Sequence, residues 1–313
     1  MTGFHETPFR TAEEREAAAS RPVHERQAMI ERLLYKYPLF KAGEEFIRRF
    51  HFPFDNGTYG KGTIGGLLGP SRVGKSTICE FYASGIENPE PDEFGETYRV
   101  IHVTATSQTT PSSLTDTIAA KTGLRSIPAK LKTQARVNMV LRRLETVRTE
   151  LIILDDAQFL FLERTRSQVQ GFLSLLKDLA DMKTLNVLLV GIDEVRTVVA
   201  GFDYIEGRGG FKHKVLAPLG DEGEEFNQFR LLLSKIDARL PFRQPSVLAD
   251  SIAVAADVHA FTGGSIGRVM NLVREASALA MNANSSGIFL EHFRQASTLL
   301  GRVNDTRQYF RRS

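Results

Sequence analysis

Gly69-Pro70-Ser71-Arg72-Val73-Gly74-Lys75-Ser76 is the stretch of sequence on which the fold turns. It meets the pattern G-x-x-x-x-G-K-[ST] at every constrained position. The apolar run Ile64-Gly-Gly-Leu-Leu68 precedes it, and the helical run Ser76-Thr-Ile-Cys-Glu-Phe-Tyr-Ala83 follows. Strand, glycine-rich turn and helix in that order place backbone N–H groups around a phosphate. The helix adds its positive N-terminal end. Lys75 then reaches the β- and γ-phosphates, and the Ser76 hydroxyl can ligate Mg²⁺. Residues Gly69 to Thr77 are therefore the candidate nucleotide-binding set, with ATP and Mg²⁺ as the expected cofactors.

Five strand-length runs surround this motif: Thr63–Leu68, Tyr98–Val103, Leu151–Leu154, Asn186–Gly191 and His213–Leu219. Several are continuously apolar, as strands buried on both faces of a parallel sheet are. Strand and helix alternate, which predicts α/β architecture. Beyond Leu219 the pattern turns helical, over Glu224–Leu240, Val247–Thr262, Ile266–Asn282 and Phe289–Leu300. The expected organisation is a mobile arm over residues 1–22, an α/β core with an N-terminal helix over 23–219, a helical lid over 220–301 and a basic, frayed tail over 302–313. A helix is expected to begin near Pro22 and to carry Val23, Ile30, Leu33 and Leu34 on one face.

The chain has 313 residues, 42% hydrophobic and 25% charged, enough for a packed core. No apolar run is long enough for a membrane span, and the N-terminal segment lacks an apolar signal core. One cysteine, Cys79, excludes an internal disulfide, and its place on an apolar helix face predicts a buried side chain. A cytoplasmic protein with no membrane partner is expected.

A second motif is Leu151-Ile-Ile-Leu-Asp155-Asp156, an apolar strand ending in acids. Asp155 at the strand end is placed to hold Mg²⁺ opposite Lys75. Asp156 is the candidate to orient or deprotonate the attacking water. Its side chain is one methylene shorter than the glutamate common in such ATPases, which points to slow hydrolysis. Arg268, in Gly263-Gly-Ser-Ile-Gly-Arg268, is a candidate γ-phosphate contact. Arg208, in Glu206-Gly-Arg-Gly-Gly-Phe211, is a candidate arginine finger acting on a neighbouring subunit. Asp193 is either a polar sensor or an acid at a helix N-terminus. The acidic run Asp221–Glu225 reads as a helix N-terminal turn.

Residues 120–148 carry eight basic side chains against Glu145 alone, a net +7 in a chain of net +3. Such clustering is the footprint of phosphate-backbone binding. Lys121, Arg125, Lys130, Lys132 and Arg136 are the candidate DNA-binding residues. A solvated helix paired with acids elsewhere is the alternative reading. No aromatics are interleaved, so base stacking is not indicated.

Together these motifs resemble the AAA+ ATPases. Within them the chain is similar to the TniB/TnsC family of transposition ATPases. The likeness rests on the phosphate loop with Leu33-Leu-Tyr-Lys-Tyr-Pro38 before it. It rests also on Phe229-Arg-Leu-Leu-Leu233, Leu240-Pro-Phe-Arg-Gln-Pro-Ser-Val-Leu248 and Gly263-Gly-Ser-Ile-Gly-Arg268. Two departures stand out: the family usually has Asp-Glu where this chain has Asp155-Asp156, and its Arg-Phe pair is split here into Arg208-Gly-Gly-Phe211. The resemblance implies an AAA+ P-loop NTPase core with a parallel sheet of order 5-1-4-3-2 and a C-terminal helical lid. It implies an ATP-dependent regulator of transposition that forms a ring or helical filament on double-stranded DNA, gripping it without regard to sequence. A transposase and a TniQ-type adaptor are its implied partners. Two other readings stay open: a secretion- or signalling-type ATPase acting on proteins without DNA, and a helicase-loader or initiator-type ATPase.

Overall fold

The computed structural model describes residues 3–311 except 61, 92, 94, 125, 126, 129, 208, 209, 250 and 302–306, and omits the side chains of 206 and 249. In chain order the elements are α1 (Ala12–Ala19), α2 (Val23–Glu31), α3 (Pro38–His51), β1 (Ile64–Leu68), α4 (Lys75–Gly85), β2 (Val100–Thr104), α5 (Pro111–Lys121), α6 (Thr133–Thr146) and β3 (Leu151–Asp155). They continue with α7 (Gln158–Phe161), α8 (Arg166–Asp181), β4 (Asn186–Gly191), α9 (Glu194–Ala200), α10 (Asp203–Glu206) and β5 (Lys212–Val215). The last four are α11 (Gly223–Asp237), α12 (Ile252–Thr262), α13 (Ile266–Asn282) and α14 (Leu290–Leu300). The chain forms two compact units, one from Pro38–Leu216 and one from Met1–Tyr37 with Ala217–Ser313.

The first unit is built on a five-stranded parallel sheet of order β2-β3-β4-β1-β5, the expected order read from the other edge. β1, β3 and β4 are buried along their whole length, which is why they read as apolar runs. β5 is an edge strand, shorter than the expected His213–Leu219, and its Lys212 and His213 are exposed. Charged residues on an edge strand discourage pairing with another chain. α8 places Phe172, Leu173, Leu175, Leu176 and Leu179 in the core beside the sheet. Cys79 is fully buried on α4, and burial raises its thiol pKa.

The second unit corrects the expected organisation. The expected boundary after residue 22 lies instead at Tyr37/Pro38, and residues 3–37 belong with the C-terminal helices. Residues 3–22 are not an arm. Thr11 caps α1 in a capping box with Glu14, and the Phe9 N–H donates to the Ala238 carbonyl at 2.7 Å. The Arg15 guanidinium lies 3.3 Å from the buried Asp237 carboxylate. α2 starts at Val23 after Pro22 as expected but stops at Glu31. Leu33 and Leu34 are buried on an extended segment, where the Leu34 N–H donates to the His5 carbonyl at 2.9 Å. α11 ends at Asp237 rather than Leu240, and the expected helix over 247–262 splits into a 3₁₀ turn at Val247–Ala249 and α12. α12 ends on Gly263 (φ 62°) and Gly264 (φ 67°). A Cβ on Gly264 would stand 1.9 Å from the Leu219 carbonyl oxygen, so only glycine fits there. The expected frayed tail is fixed at Phe310, which is buried, touches Phe293 and donates its N–H to Asp257 Oδ2 at 2.9 Å.

Candidate nucleotide site

The phosphate loop runs from the end of β1 into α4. Its first glycine, Gly69, has φ 139°, and a Cβ there would lie 2.1 Å from the Leu216 carbonyl oxygen. Arg72 (φ 70°) and Gly74 (φ 98°) are also left-handed, which curls the loop back on itself. The Gly69 N–H donates to the Gly191 carbonyl at 3.1 Å, which anchors the loop to the end of β4. Gly74 caps α4 with its backbone alone, leaving the first N–H groups of that helix for a ligand.

Lys75 is 8% exposed, and its Nζ donates to the Gly69 and Pro70 carbonyls, both at 2.7 Å. Burial lowers its pKa, opposed by the charges of Asp155 and Asp156. The ammonium is thus held over the loop, within electrostatic reach of both acids. Val73 is buried, while Pro70, Ser71, Arg72 and Ser76 are exposed around it and Thr77 is half-buried.

Asp155 closes β3 and is 3% exposed. Burial works to raise its pKa, but His102, the Ser76 hydroxyl and the Asp156 N–H outweigh it and hold the carboxyl below the usual range. The Asp156 N–H donates to Asp155 Oδ1 at 2.9 Å. His102 Nε2 stands 3.4 Å from Asp155 Oδ2, too poorly aligned for a hydrogen bond. The pairing Thr104↔Asp155 puts β2 beside this acid, and His102 lies two residues back on the same face. No reading of the sequence alone singled out His102; only the strand register brings it to the site.

Ser76 acts on Asp155 strongly enough to help lower its pKa, so both oxygen ligands expected for Mg²⁺ lie in the same neighbourhood. A serine hydroxyl and a carboxylate are the hard donors that suit Mg²⁺, which keeps several waters and takes substrate phosphates as further ligands. Among the described residues no group of three or more His, Cys, Asp or Glu could hold a metal by itself. The donor set fits a metal that arrives with a nucleotide.

Asp156 follows β3 with φ 53°, a left-handed backbone uncommon for a residue with a side chain. Gln158 Nε2 donates to its Oδ1 at 2.9 Å. Asp193 is exposed just before α9 and makes no side-chain cap bond. Arg208 and Arg125 lie outside the described residues.

Arg268 belongs to the other unit. It is exposed in the first turn of α13, and its guanidinium makes no hydrogen bond or ion pair among the described residues.

In the basic segment, Lys121, Lys130 and Lys132 are exposed, and Lys132 stands at the N-terminus of α6. Arg136 is not free: its Nη1 lies 2.5 Å from Asp116 Oδ1 and 2.7 Å from Oδ2. Arg143 donates to the Thr122 carbonyl at the end of α5. Part of the +7 is therefore spent inside the fold.

Residues 59–199 match the family described as AAA domain. No significant sequence match was found among curated proteins. Solved structures similar to this chain include the ORC2 protein of Aeropyrum pernix in its ADPNP–ADP complexes, at 15% identity and TM-score 0.58, covering 82% of this chain and 67% of that one. Cdc6p of Pyrobaculum aerophilum is similar at 14% identity and TM-score 0.58, covering 85% and 68%. The Drosophila ORC bound to DNA is similar at 15% identity and TM-score 0.51, covering 92% of this chain and 65% of that one. At these identities the likeness is one of fold, and the fold is that of the AAA+ P-loop NTPases.

Proposed function

We propose that this protein with an AAA+ nucleotide-binding core is an ATPase that assembles on double-stranded DNA and regulates transposition. The observation that carries the ATPase reading is the convergence of Lys75, Ser76, Asp155 and Asp156 at the end of β1 and β3. Lys75 neutralises the phosphates, and Ser76 with Asp155 holds Mg²⁺, which spreads the charge that develops on the γ-phosphoryl group. Asp156 orients the attacking water and takes its proton. Arg268 contacts the γ-phosphate from the helical lid, and Arg208 serves a neighbouring subunit. The DNA grip is assigned to Lys121, Lys130 and Lys132, and to Arg125, which falls in the same stretch of sequence but outside the described residues. Lys121, Lys130 and Lys132 form no ion pair among the described residues, unlike Arg136. Transposition, with a transposase and a TniQ-type adaptor as partners, rests on the likeness of residues 229–233, 240–248 and 263–268 to TniB/TnsC proteins.

An initiator-type role is the second reading. It is favoured by the fold shared with Cdc6p and with an ORC whose structure is described as bound to DNA. Both readings place the protein on DNA.

Fluorescence anisotropy on unrelated duplexes across a salt series, with and without ATP, tests the grip. Affinity is expected to fall steeply with salt and to depend little on sequence. Lys130→Ala with Lys132→Ala is expected to weaken binding on every duplex and to lower the log–log salt slope by about two at most. ATP is expected to tighten binding by aligning many subunits. Unchanged affinity and slope in the double variant would remove the contact from this loop. Recruitment of a transposase to ATP-loaded filaments, against recruitment of a helicase, separates the two readings.

A further inference from the structure

We infer that Gln158 is a positioning residue that sets the Asp156 carboxylate for attack on the γ-phosphate. This rests on the reading of Asp156 as the residue that handles the water.

Three observations meet at this side chain. Asp156 has a short side chain on a left-handed backbone, so few placements of its carboxylate are open to it. Gln158 Nε2 fixes one of its oxygens, Oδ1, at 2.9 Å. The other end of the same amide, Oε1, is buried with no hydrogen-bond partner among the described residues. An orphaned buried acceptor is destabilising. The amide nevertheless adopts this pose, because turning it over would set its oxygen against a carboxylate that can only accept. The bond to Asp156 therefore decides where Gln158 sits.

The far wall of the Gln158 slot is Gly191. A Cβ on Gly191 would lie 2.8 Å from Gln158 Oε1 and 3.2 Å from Val195 Cγ2. Gly191 is also the residue whose carbonyl receives the Gly69 N–H of the phosphate loop. The Ala157 N–H, between the two side chains, donates to the Val190 carbonyl at 2.8 Å. The end of β4 thus holds the phosphate loop through one bond and backs the Gln158 amide in the next layer. Gln158 ties the Asp156 carboxylate to this fixed point. With Oδ1 occupied, Oδ2 is left to accept from water. The water oxygen attacks the γ-phosphorus, the bond from that phosphorus to the ADP oxygen breaks, and the water proton passes to Oδ2.

The test is ATP hydrolysis by the full chain, with nucleotide affinity measured separately by titration calorimetry. Gln158→Met keeps the length of the side chain and removes its donor. It is expected to lower kcat about tenfold, the effect of one lost hydrogen bond in the transition state, with ATP affinity within about twofold. In an Asp156→Asn background the same substitution is expected to add no further loss, since it acts through that carboxylate. Gly191→Ala keeps both acids and the amide but takes the space behind it. It is expected to lower kcat in the same way, and it keeps the test open should Gln158→Met fold poorly. Unchanged kcat in both variants overturns the inference. So does a full tenfold loss from Gln158→Met in the Asp156→Asn background. Wild-type turnover by Asp156→Asn alone would instead overturn the role of Asp156, and the inference with it.

Discussion

At the scale of single residues, Lys75 and Asp156 divide the chemistry. Lys75 Nζ donates to the Gly69 and Pro70 carbonyls, and phosphate oxygens would compete with these acceptors for its charge. Lys75→Ala is expected to weaken ATP binding about 10- to 100-fold, from about 1.5–3 kcal/mol for a hydrogen bond to a charged group. Calorimetric titration checks it, and unchanged affinity would take the phosphates away from this loop. Asp156→Asn keeps the shape and removes the base. Nucleotide affinity is expected to hold while kcat falls by about 10²–10⁴, the range for general-base assistance. Of this site the motif residues were legible in the sequence because they are adjacent in the chain. His102 and Gln158 were not. The meaning of His102 comes from the register of β2 against β3. That of Gln158 comes from a left-handed turn at Asp156, which composition does not announce.

At the scale of elements, the sheet was readable because strands buried on both faces must be apolar throughout. The order of the strands came from resemblance alone. The N-terminal helix α1 was missed for the opposite reason: Ala-Glu-Glu-Arg-Glu-Ala-Ala-Ala has almost no apolar face. Its place is set by bonds to residues more than two hundred positions away, which no local pattern shows. The sheet is also tied at the end away from the nucleotide. His51 on α3 is fully buried between Tyr82 of α4 and Glu150 before β3, with ring nitrogens 2.9 and 3.0 Å from their oxygens. Arg99 Nε donates to the other Glu150 oxygen at 2.9 Å. Burial works to raise the Glu150 pKa, but the bonds from His51 and Arg99 prevail and hold it below its ordinary 4.5. A carboxyl with a depressed pKa stabilises the fold above its unfolded pKa and loses that contribution as pH falls through the folded value. Glu150→Gln is expected to be less stable than wild type by about 1–2 kcal/mol at pH 7. The gap is expected to narrow below about pH 4.5. Thermal melts from pH 7 to pH 3 read it, and a gap independent of pH would mean the charge of Glu150 is not what holds the junction.

At the scale of the whole molecule, the nucleotide residues and Arg268 lie in different units. If ATP couples the units through Arg268, removing that side chain leaves the nucleotide-free protein as it was, because an exposed residue with no side-chain partner among the described residues contributes within about 0.5 kcal/mol. Arg268→Ala is therefore expected to melt like wild type without nucleotide. It is expected to gain less from a non-hydrolysable ATP analogue with Mg²⁺, since stabilisation follows the ratio of ligand to Kd. Equal gains in both proteins would leave the lid without a nucleotide contact at Arg268. The two-unit division has a temporal side as well. One unit is composed of two stretches of chain, and the whole of the other is made between them. At roughly 5–20 residues per second, about 10–40 s of translation separate Tyr37 from Ala217. During that interval Leu33, Leu34 and Tyr37 have emerged while the helices of their own unit are still unmade. The nucleotide-binding unit has its full sequence first, so on a ribosome the phosphate loop can close before the C-terminal helices exist, with Leu33, Leu34 and Tyr37 still without the rest of the unit in which they are buried.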